Sequence, residues 1–259
     1  SRGLGDVYKR QEYTQAAMVT TCLAMTRAVE SMGLHADMTA GLSLGEYCAI
    51  AVAGGMCDLD AIRTVRSRGI IMEHAAPEGS GAMSAVLGMD AEVIEDVLNG
   101  REGVSIANYN CPGQIVITGE AAAVAEAGTA LKEAGARRVL PLKVSGPFHS
   151  PMMRPAGEEL AKVFAGVSMN PLKIPYVANI NAEVITDCGR IEGLLVDQVS
   201  GSVRWQQSVE TMLREGVDTF VEIGPGKTLT GFLRKIDKNV KAYHIGSWEE
   251  AVQVCEELK

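Results

Sequence analysis

Residues 39–49 read Thr-Ala-Gly-Leu-Ser-Leu-Gly-Glu-Tyr-Cys-Ala and contain Gly41-Leu42-Ser43-Leu44-Gly45, a G-x-S-x-G pattern. This is the pattern of a nucleophile elbow, a sharp strand-to-helix turn that exposes one serine hydroxyl. The flanking glycines give the chain room to turn tightly. The run after Ser43, residues 46–55, is rich in Ala, Ile and Val, as a buried helix is. A helix starting there sets unpaired backbone N–H groups, with their positive dipole character, beside the hydroxyl and so favours an oxyanion. The same residues also suit an ordinary strand–turn–helix junction in which Ser43 is only an N-cap.

Working outward, residues 15–32 carry apolar side chains at helical spacing, and Gly33 ends that helix. Met38 to Gly41 is a short lead into the elbow. Asp58 is expected to cap a helix through about Ala75, broken by Pro77-Glu78-Gly79. Strands follow at residues 82–87, 104–108, 114–118 and 138–142, with helices at 91–98 and 121–134 and a turn at Asn110-Cys111-Pro112-Gly113. That order is βαββαβ, the ferredoxin-like pattern. Breaks at Pro77-Glu78-Gly79 and Gly146-Pro147 mark residues 77–145 as a small domain inserted into a larger one, residues 1–76 and 146–259. The larger domain resumes with helices at 152–165, 191–199 and 205–215 and strands at 176–179 and 219–223. Gly224-Pro225-Gly226-Lys227-Thr228 looks like a phosphate loop but fails its spacing, because Val221 stands where the first glycine belongs.

The chain has 259 residues, 47% of them hydrophobic and 5% aromatic, enough for a sizeable core. A net charge of −8 argues against nucleic-acid and anionic-membrane surfaces. No apolar run reaches the about 18 residues of a membrane span. The six cysteines are scattered without a C-x-x-C pair, which reads as reduced thiols in a cytoplasmic protein and as no metal site.

A serine nucleophile needs a base, and the chain has four histidines. His35, His74 and His244 read as surface or packing residues. His149 lies in Ser145-Gly146-Pro147-Phe148-His149-Ser150-Pro151, a rigid loop between a strand and a helix, where functional groups concentrate. It is the candidate base, or else a cap for the helix starting at Pro151. The order Ser43 then His149 is that of α/β-hydrolases, but no third, acidic member stands out; Asp90, Asp96 and Glu126 fall in the inserted segment. In Arg66-Ser67-Arg68-Gly69, an arginine facing the serine could hold a carboxylate bidentately. Either arginine is also compatible with a solvated helix face.

Several segments together resemble one family, the malonyl-CoA:acyl carrier protein transacylases of type II fatty acid synthesis. They are Tyr13-Thr14-Gln15-Ala16, Gly41-Leu42-Ser43-Leu44-Gly45-Glu46-Tyr47 and Arg68-Gly69-Ile70-Ile71-Met72. Asn108 to Gln114, Gly146-Pro147-Phe148-His149-Ser150, residues 198–205 and Glu222-Ile223-Gly224-Pro225-Gly226 continue the series, in family order from about residue 11 to the end. The resemblance implies an α/β fold, with an α/β-hydrolase-like core and an inserted ferredoxin-like subdomain. It implies that Ser43 is acylated, that His149 is its base and acid, and that Arg68 pairs with the malonyl carboxylate. A backbone carbonyl, falling on Gln198, would orient the His in place of an acid, and the N–H of Leu44 would be an oxyanion donor. Gln15, Leu42, Phe148 and Asn179 would border the pocket, with Phe148 favouring malonyl over methylmalonyl. No metal or redox cofactor is implied. The substrates would be malonyl-CoA and the phosphopantetheine thiol of acyl carrier protein, with no nucleic acid or membrane partner.

Two departures stand out. The family usually has His where this chain has Leu42, a position that is not the base. The family also begins with a strand and a Gly-Gln-Gly loop supplying a second oxyanion N–H, and residues 1–10 match neither. They read as a foreign leader on an N-terminally shortened chain, which is expected to be a weak enzyme. The rival expectations are a serine esterase or thioesterase on the same elbow, and an inactive fragment. Because acyl carrier proteins are acidic, docking is expected to use basic residues among Arg137, Arg138, Lys143, Arg204, Arg234 and Lys235.

Overall fold

The computed structural model describes residues 11–144 and 146–258. The expectation for residues 1–10 lies outside them. Helix α1 (Gln11–Ser31) matches the apolar spacing and begins earlier than predicted. Gly33 follows it at φ 92, the left-handed conformation that stops a helix. Strand β1 (Thr39–Ala40) enters the elbow and α2 (Gly45–Val52) leaves it. Helix α3 (Asp58–His74) is capped by Cys57, whose Sγ accepts from the Asp60 N–H at 3.3 Å. Asp58, the expected cap, is instead the first helical residue, where its charge suits the helix dipole.

The middle of the chain runs β2 (Gly81–Leu87), α4 (Ala91–Leu98), β3 (Val104–Cys111), β4 (Gln114–Glu120), α5 (Ala121–Glu133) and β5 (Arg138–Pro141). Its strands form one antiparallel sheet in the order β3-β4-β2-β5. Strand β3 runs on through Cys111, so the turn predicted to start at Asn110 narrows to Pro112-Gly113, with Gly113 at φ 72. Ile94, Leu98, Val124 and Leu131 from the two helices pack with Val86, Ile115 and Ile117 in a core of their own. Entry and exit of this segment touch: a Cβ on Gly81 would stand 2.4 Å from the Pro147 ring, so only glycine admits that contact.

Beyond it, a 3₁₀ turn at Pro151–Met153 opens into α6 (Arg154–Phe164). Strand β6 (Tyr176–Val177) pairs in parallel with β1, and β7 (Val184–Ile185), absent from the sequence reading, pairs antiparallel with β6. Strand β6 stops short of Asn179. The Asn179 N–H donates to the Glu46 carboxylate and its C=O accepts from the Arg204 N–H, so neither is left for a strand ladder. Helices α7 (Ile191–Ser200) and α8 (Trp205–Arg214) and strand β8 (Thr219–Ile223) lie where predicted. Helix α9 (Thr228–Ile236) and helix α10 (Trp248–Glu257) were not predicted; strand β9 (Lys241–Ile245), which holds His244, pairs in parallel with β8. The start of α9 explains why Gly224 to Thr228 is no phosphate loop. The Glu222 carboxylate accepts from the N–H groups of Leu229 at 3.0 Å and Thr230 at 2.7 Å, filling the place an anion would take.

The largest core joins α1, α2, α3, α6 and α7 through Leu23, Tyr47, Ile50, Val65, Leu160 and Leu195. Within it α1, which carries Gln15, packs along α3, which carries Arg68. Strands β1 and β8 belong to separate sheets, with a cavity of about 1180 Å³ between them that reaches Thr39, Leu42, Cys48, Trp205 and Phe220. Ser43, Arg68 and His149 do not line it. Among the described residues, no helix is long and apolar enough to cross a membrane.

Candidate active site

Ser43 has φ 50, a left-handed backbone that costs a non-glycine residue energy and persists only where its surroundings impose it. Here hydrogen bonds impose it. The Ser43 N–H donates to Asn179 Oδ1 at 2.5 Å, and Asn179 Nδ2 donates to the Gly41 carbonyl at 2.7 Å, so one side chain braces both limbs of the turn. Gln198 Nε2 donates to the Ser43 carbonyl at 2.9 Å. The turn is so tight that a Cβ on Gly41 would lie 2.0 Å from the Gly45 carbonyl oxygen. Gly45 itself faces open space, so of the two motif glycines only Gly41 is demanded sterically. Leu44 is the N-cap residue of α2, so its N–H precedes the helical hydrogen-bond ladder.

His149 is likewise left-handed, at φ 59, and buried. Its Nε2 lies 2.8 Å from Ser43 Oγ and its Nδ1 2.8 Å from the Gln198 carbonyl oxygen. A carbonyl only accepts, so Nδ1 carries the proton and Nε2 offers its lone pair to the serine. Burial first, and then the Arg68 charge, push the imidazole pKa down to about 4. Ser150, not His149, stands at the cap of the 3₁₀ turn, and its Oγ donates to the Pro147 carbonyl at 2.7 Å. The other histidines lie elsewhere: His35 is exposed, His74 ends α3, and His244 bonds the Gly224 carbonyl at 3.1 Å.

Arg68 is 2% exposed. It donates from Nη1 to Gln15 Oε1 at 2.7 Å, and from Nη2 to Gln198 Oε1 and Ser43 Oγ, both at 3.2 Å. All three partners are neutral, and among the described residues no carboxylate stands within ion-pair distance of it. Burial lowers its pKa. Arg66, the other candidate, lies over the Tyr13 ring at 4.7 Å. Asn179 and Gln198 thus bond the serine backbone and Gln15 reaches it only through Arg68, whereas Phe148 joins the main core and Leu42 packs with the cluster of Trp205 and Phe232.

One residue escaped the sequence reading. Glu46 is fully buried and accepts at Oε2 from Gln198 Nε2 at 2.6 Å and from the Asn179 N–H at 3.3 Å. Burial raises its pKa to about 8. The signal was present: an acid stands in an otherwise apolar helix directly after the elbow. Among the described residues, no group of three or more His, Cys, Asp or Glu side chains is placed to hold a metal ion. The cluster as a whole offers a hydroxyl, a neutral base in contact with it, and a desolvated cation beside both.

The chain matches the acyl transferase domain family over residues 6–254. Malonyl CoA-acyl carrier protein transacylase of Bacillus subtilis is 43% identical over 249 residues, covering 95% of this chain and 78% of that protein. The Escherichia coli (strain K12) protein of the same name is 43% identical over 228 residues, with coverage of 86% and 74%. Among solved structures, MCAT from Streptococcus pneumoniae aligns with a TM-score of 0.94 at 42% identity, over 98% of this chain and 84% of that one. A type II PKS acyl-carrier protein in complex with its malonyl-transacylase aligns at 0.92 and 37% identity, over 97% and 83%.

The depressed imidazole makes a prediction about pH. The base works only while neutral, which is above its pKa. Labelling of Ser43 by a sulfonyl fluoride, followed by mass spectrometry, should hold constant from neutral pH to about pH 5 and fall once pH drops through about 4. An inflection near the ordinary histidine value of about 6.5 would show that His149 is not held in this environment.

Proposed function

The chain belongs to the malonyl-CoA:acyl carrier protein transacylase family and is an acyltransferase, and on that premise we propose how its own residues carry the reaction. His149 Nε2 takes the Ser43 Oγ proton while Oγ attacks the thioester carbonyl of malonyl-CoA. The C–S bond breaks, the coenzyme A sulfur leaves with the proton from His149, and malonyl remains on Ser43 as an ester. The phosphopantetheine thiol of acyl carrier protein then gives its proton to His149 and attacks the ester. Ser43 leaves with that proton restored. The Gln198 carbonyl keeps Nδ1 protonated throughout, and the N–H of Leu44 faces the developing oxyanion. The scheme uses no metal or redox cofactor.

The observation that carries this reading is Arg68, a buried cation whose described contacts are all neutral, 3.2 Å from the serine hydroxyl. Burying an unpaired charge is costly, and the free carboxylate of a malonyl group would supply the missing partner bidentately. An uncharged acyl group would leave the arginine unpaired, which supports selection of malonyl over acetyl.

The finer fold assignment belongs to the same proposal. Residues 77–144 are assigned to a ferredoxin-like subdomain, supported by their strand order, their separate core and the Gly81–Pro147 junction. Among the described residues, 11–76 and 146–258 are assigned to an α/β-hydrolase-like core. The family and the six free thiols support a cytoplasmic location. For carrier docking, one end of the four-stranded sheet gathers basic residues. Arg138 pairs with Leu87, Arg137 stands by Gly88, Lys235 bonds Gln114 Oε1 at 3.3 Å, and Arg204 lies over the Tyr109 ring at 5.4 Å.

Arg68→Ala should slow malonyl transfer roughly 10²-fold, the worth of about 3 kcal/mol of bidentate hydrogen bonding to charge, while sparing acetyl transfer. Equal losses for the two thioesters, measured as kcat/KM, would make Arg68 structural and remove the substrate assignment. Charge reversal at Arg138 or Lys235 should raise KM for the carrier and leave malonylation of Ser43 by malonyl-CoA unchanged. Unaltered carrier kinetics in both variants would move the docking surface elsewhere.

A further inference from the structure

Glu46 lies within α2 beside Tyr47, Ala49, Ile50 and Ala51, all buried with it. The acyl-transfer scheme gives it no step. A carboxyl in such a place gives up its hydration, a cost its neighbours must offset with hydrogen bonds. Among the described residues no cation lies within ion-pair distance of it. Oε1 has no hydrogen-bond partner among them, and neither do the buried hydroxyls of Tyr47 and Tyr176. The compensation therefore falls on Oε2, and both of its donors lead to the reacting groups. Asn179, which gives Oε2 its N–H, holds the Ser43 N–H through Oδ1 and the Gly41 carbonyl through Nδ2. Gln198, which gives Oε2 its amide, holds the Ser43 carbonyl through Nε2, Arg68 through Oε1 and His149 through its backbone carbonyl.

We propose that Glu46 is a positioning residue for acyl transfer: its Oε2 ties Gln198 to Asn179 and so sets the geometry of Ser43, His149 and Arg68, a task that needs an acceptor at that reach and not a negative charge. The inference rests on the acyl-transfer reading above. Burial that raises the Glu46 pKa to about 8 fits it, because the carboxyl is then neutral at neutral pH. A neutral Glu46 leaves the Arg68 charge to the substrate. An ionised one would compete with the malonyl carboxylate for it. Tyr47 from α2, Tyr176 from β6 and Arg68 from α3 are the titratable groups that act on it.

The test compares E46Q, E46D and E46A in the whole chain. Each variant is assayed for the rate of Ser43 malonylation by malonyl-CoA, for the malonyl-to-acetyl rate ratio, and for thermal unfolding. Glutamine keeps an acceptor at the same reach and cannot ionise; aspartate keeps the carboxyl and loses the reach. E46Q should stay within the parental order of magnitude in rate and keep the parental ratio. E46D and E46A should lose on the order of 10²-fold, the effect of a displacement of about 1 Å at reacting groups, and should lose malonyl preference as Arg68 loosens. A purely structural role would lower the unfolding temperature and leave rate and ratio per folded molecule untouched, overturning the proposal. So would an E46Q defect as deep as that of E46D. Should E46A not fold, the contrast between E46Q and E46D decides alone. If the parent chain forms no malonyl-Ser43, the acyl-transfer reading itself fails; if the parent does and the Glu46 pattern is absent, only this inference fails.

Discussion

The site depends on holding one serine backbone in the left-handed region. Such a residue costs on the order of 1–3 kcal/mol, and the local turn bonds, Gly45 N–H to the Leu42 carbonyl and Glu46 N–H to the Ser43 carbonyl, leave the Ser43 N–H without a partner of its own. The repayment arrives from distant parts of the chain, through Asn179 Oδ1 on the Ser43 N–H and Gln198 Nε2 on its carbonyl. Gly41 makes the turn sterically possible, and Asn179 and Gln198 make it stable. The same two residues then reach outward to Arg68, His149 and Glu46. The strained turn and the reacting groups are therefore parts of one hydrogen-bonded unit, and loosening any member loosens the rest.

Charge explains why the base is oriented by a carbonyl. The buried site holds a guanidinium in contact with the serine, and burial first, then that cation, push the neighbouring imidazole toward its neutral form. A triad carboxylate placed behind His149 would raise the imidazole pKa, but it would also bring an anion close to Arg68. The carbonyl of Gln198 fixes the tautomer while adding no charge. A carbonyl orienter, a neutral base and an uncompensated arginine are mutually consistent in a site that receives an anionic acyl group.

Much of this was legible in the chain because it is written locally. The elbow shows in five residues, the helix ends in Gly33 and Pro77-Glu78-Gly79, and the βαββαβ order in alternating strand and helix periods. His149 stood out because the other histidines sat in ordinary places. What stayed hidden depends on contacts between distant segments. Strands β1, β6 and β7 are two residues each and exist only through their pairing. Asn179 ends a strand early because Glu46 and Arg204 claim its backbone, and α9 is fixed by a carboxylate on the preceding strand. Glu46 has no motif of its own; only the fold brings it to Gln198. Conversely, Gly45 looked as necessary as Gly41 until its surroundings proved open.

The central claim is that Ser43 carries the acyl group between two thiols, with Arg68 holding its carboxylate. Its most direct test is mass analysis of the chain incubated with malonyl-CoA alone and digested for peptide mapping. The account predicts one malonyl ester, on the peptide containing Ser43, which disappears when phosphopantetheine-bearing acyl carrier protein is added and reappears on the carrier. Steady hydrolysis of malonyl-CoA with no transfer to the carrier, or a malonyl group mapped to any other residue, would contradict it.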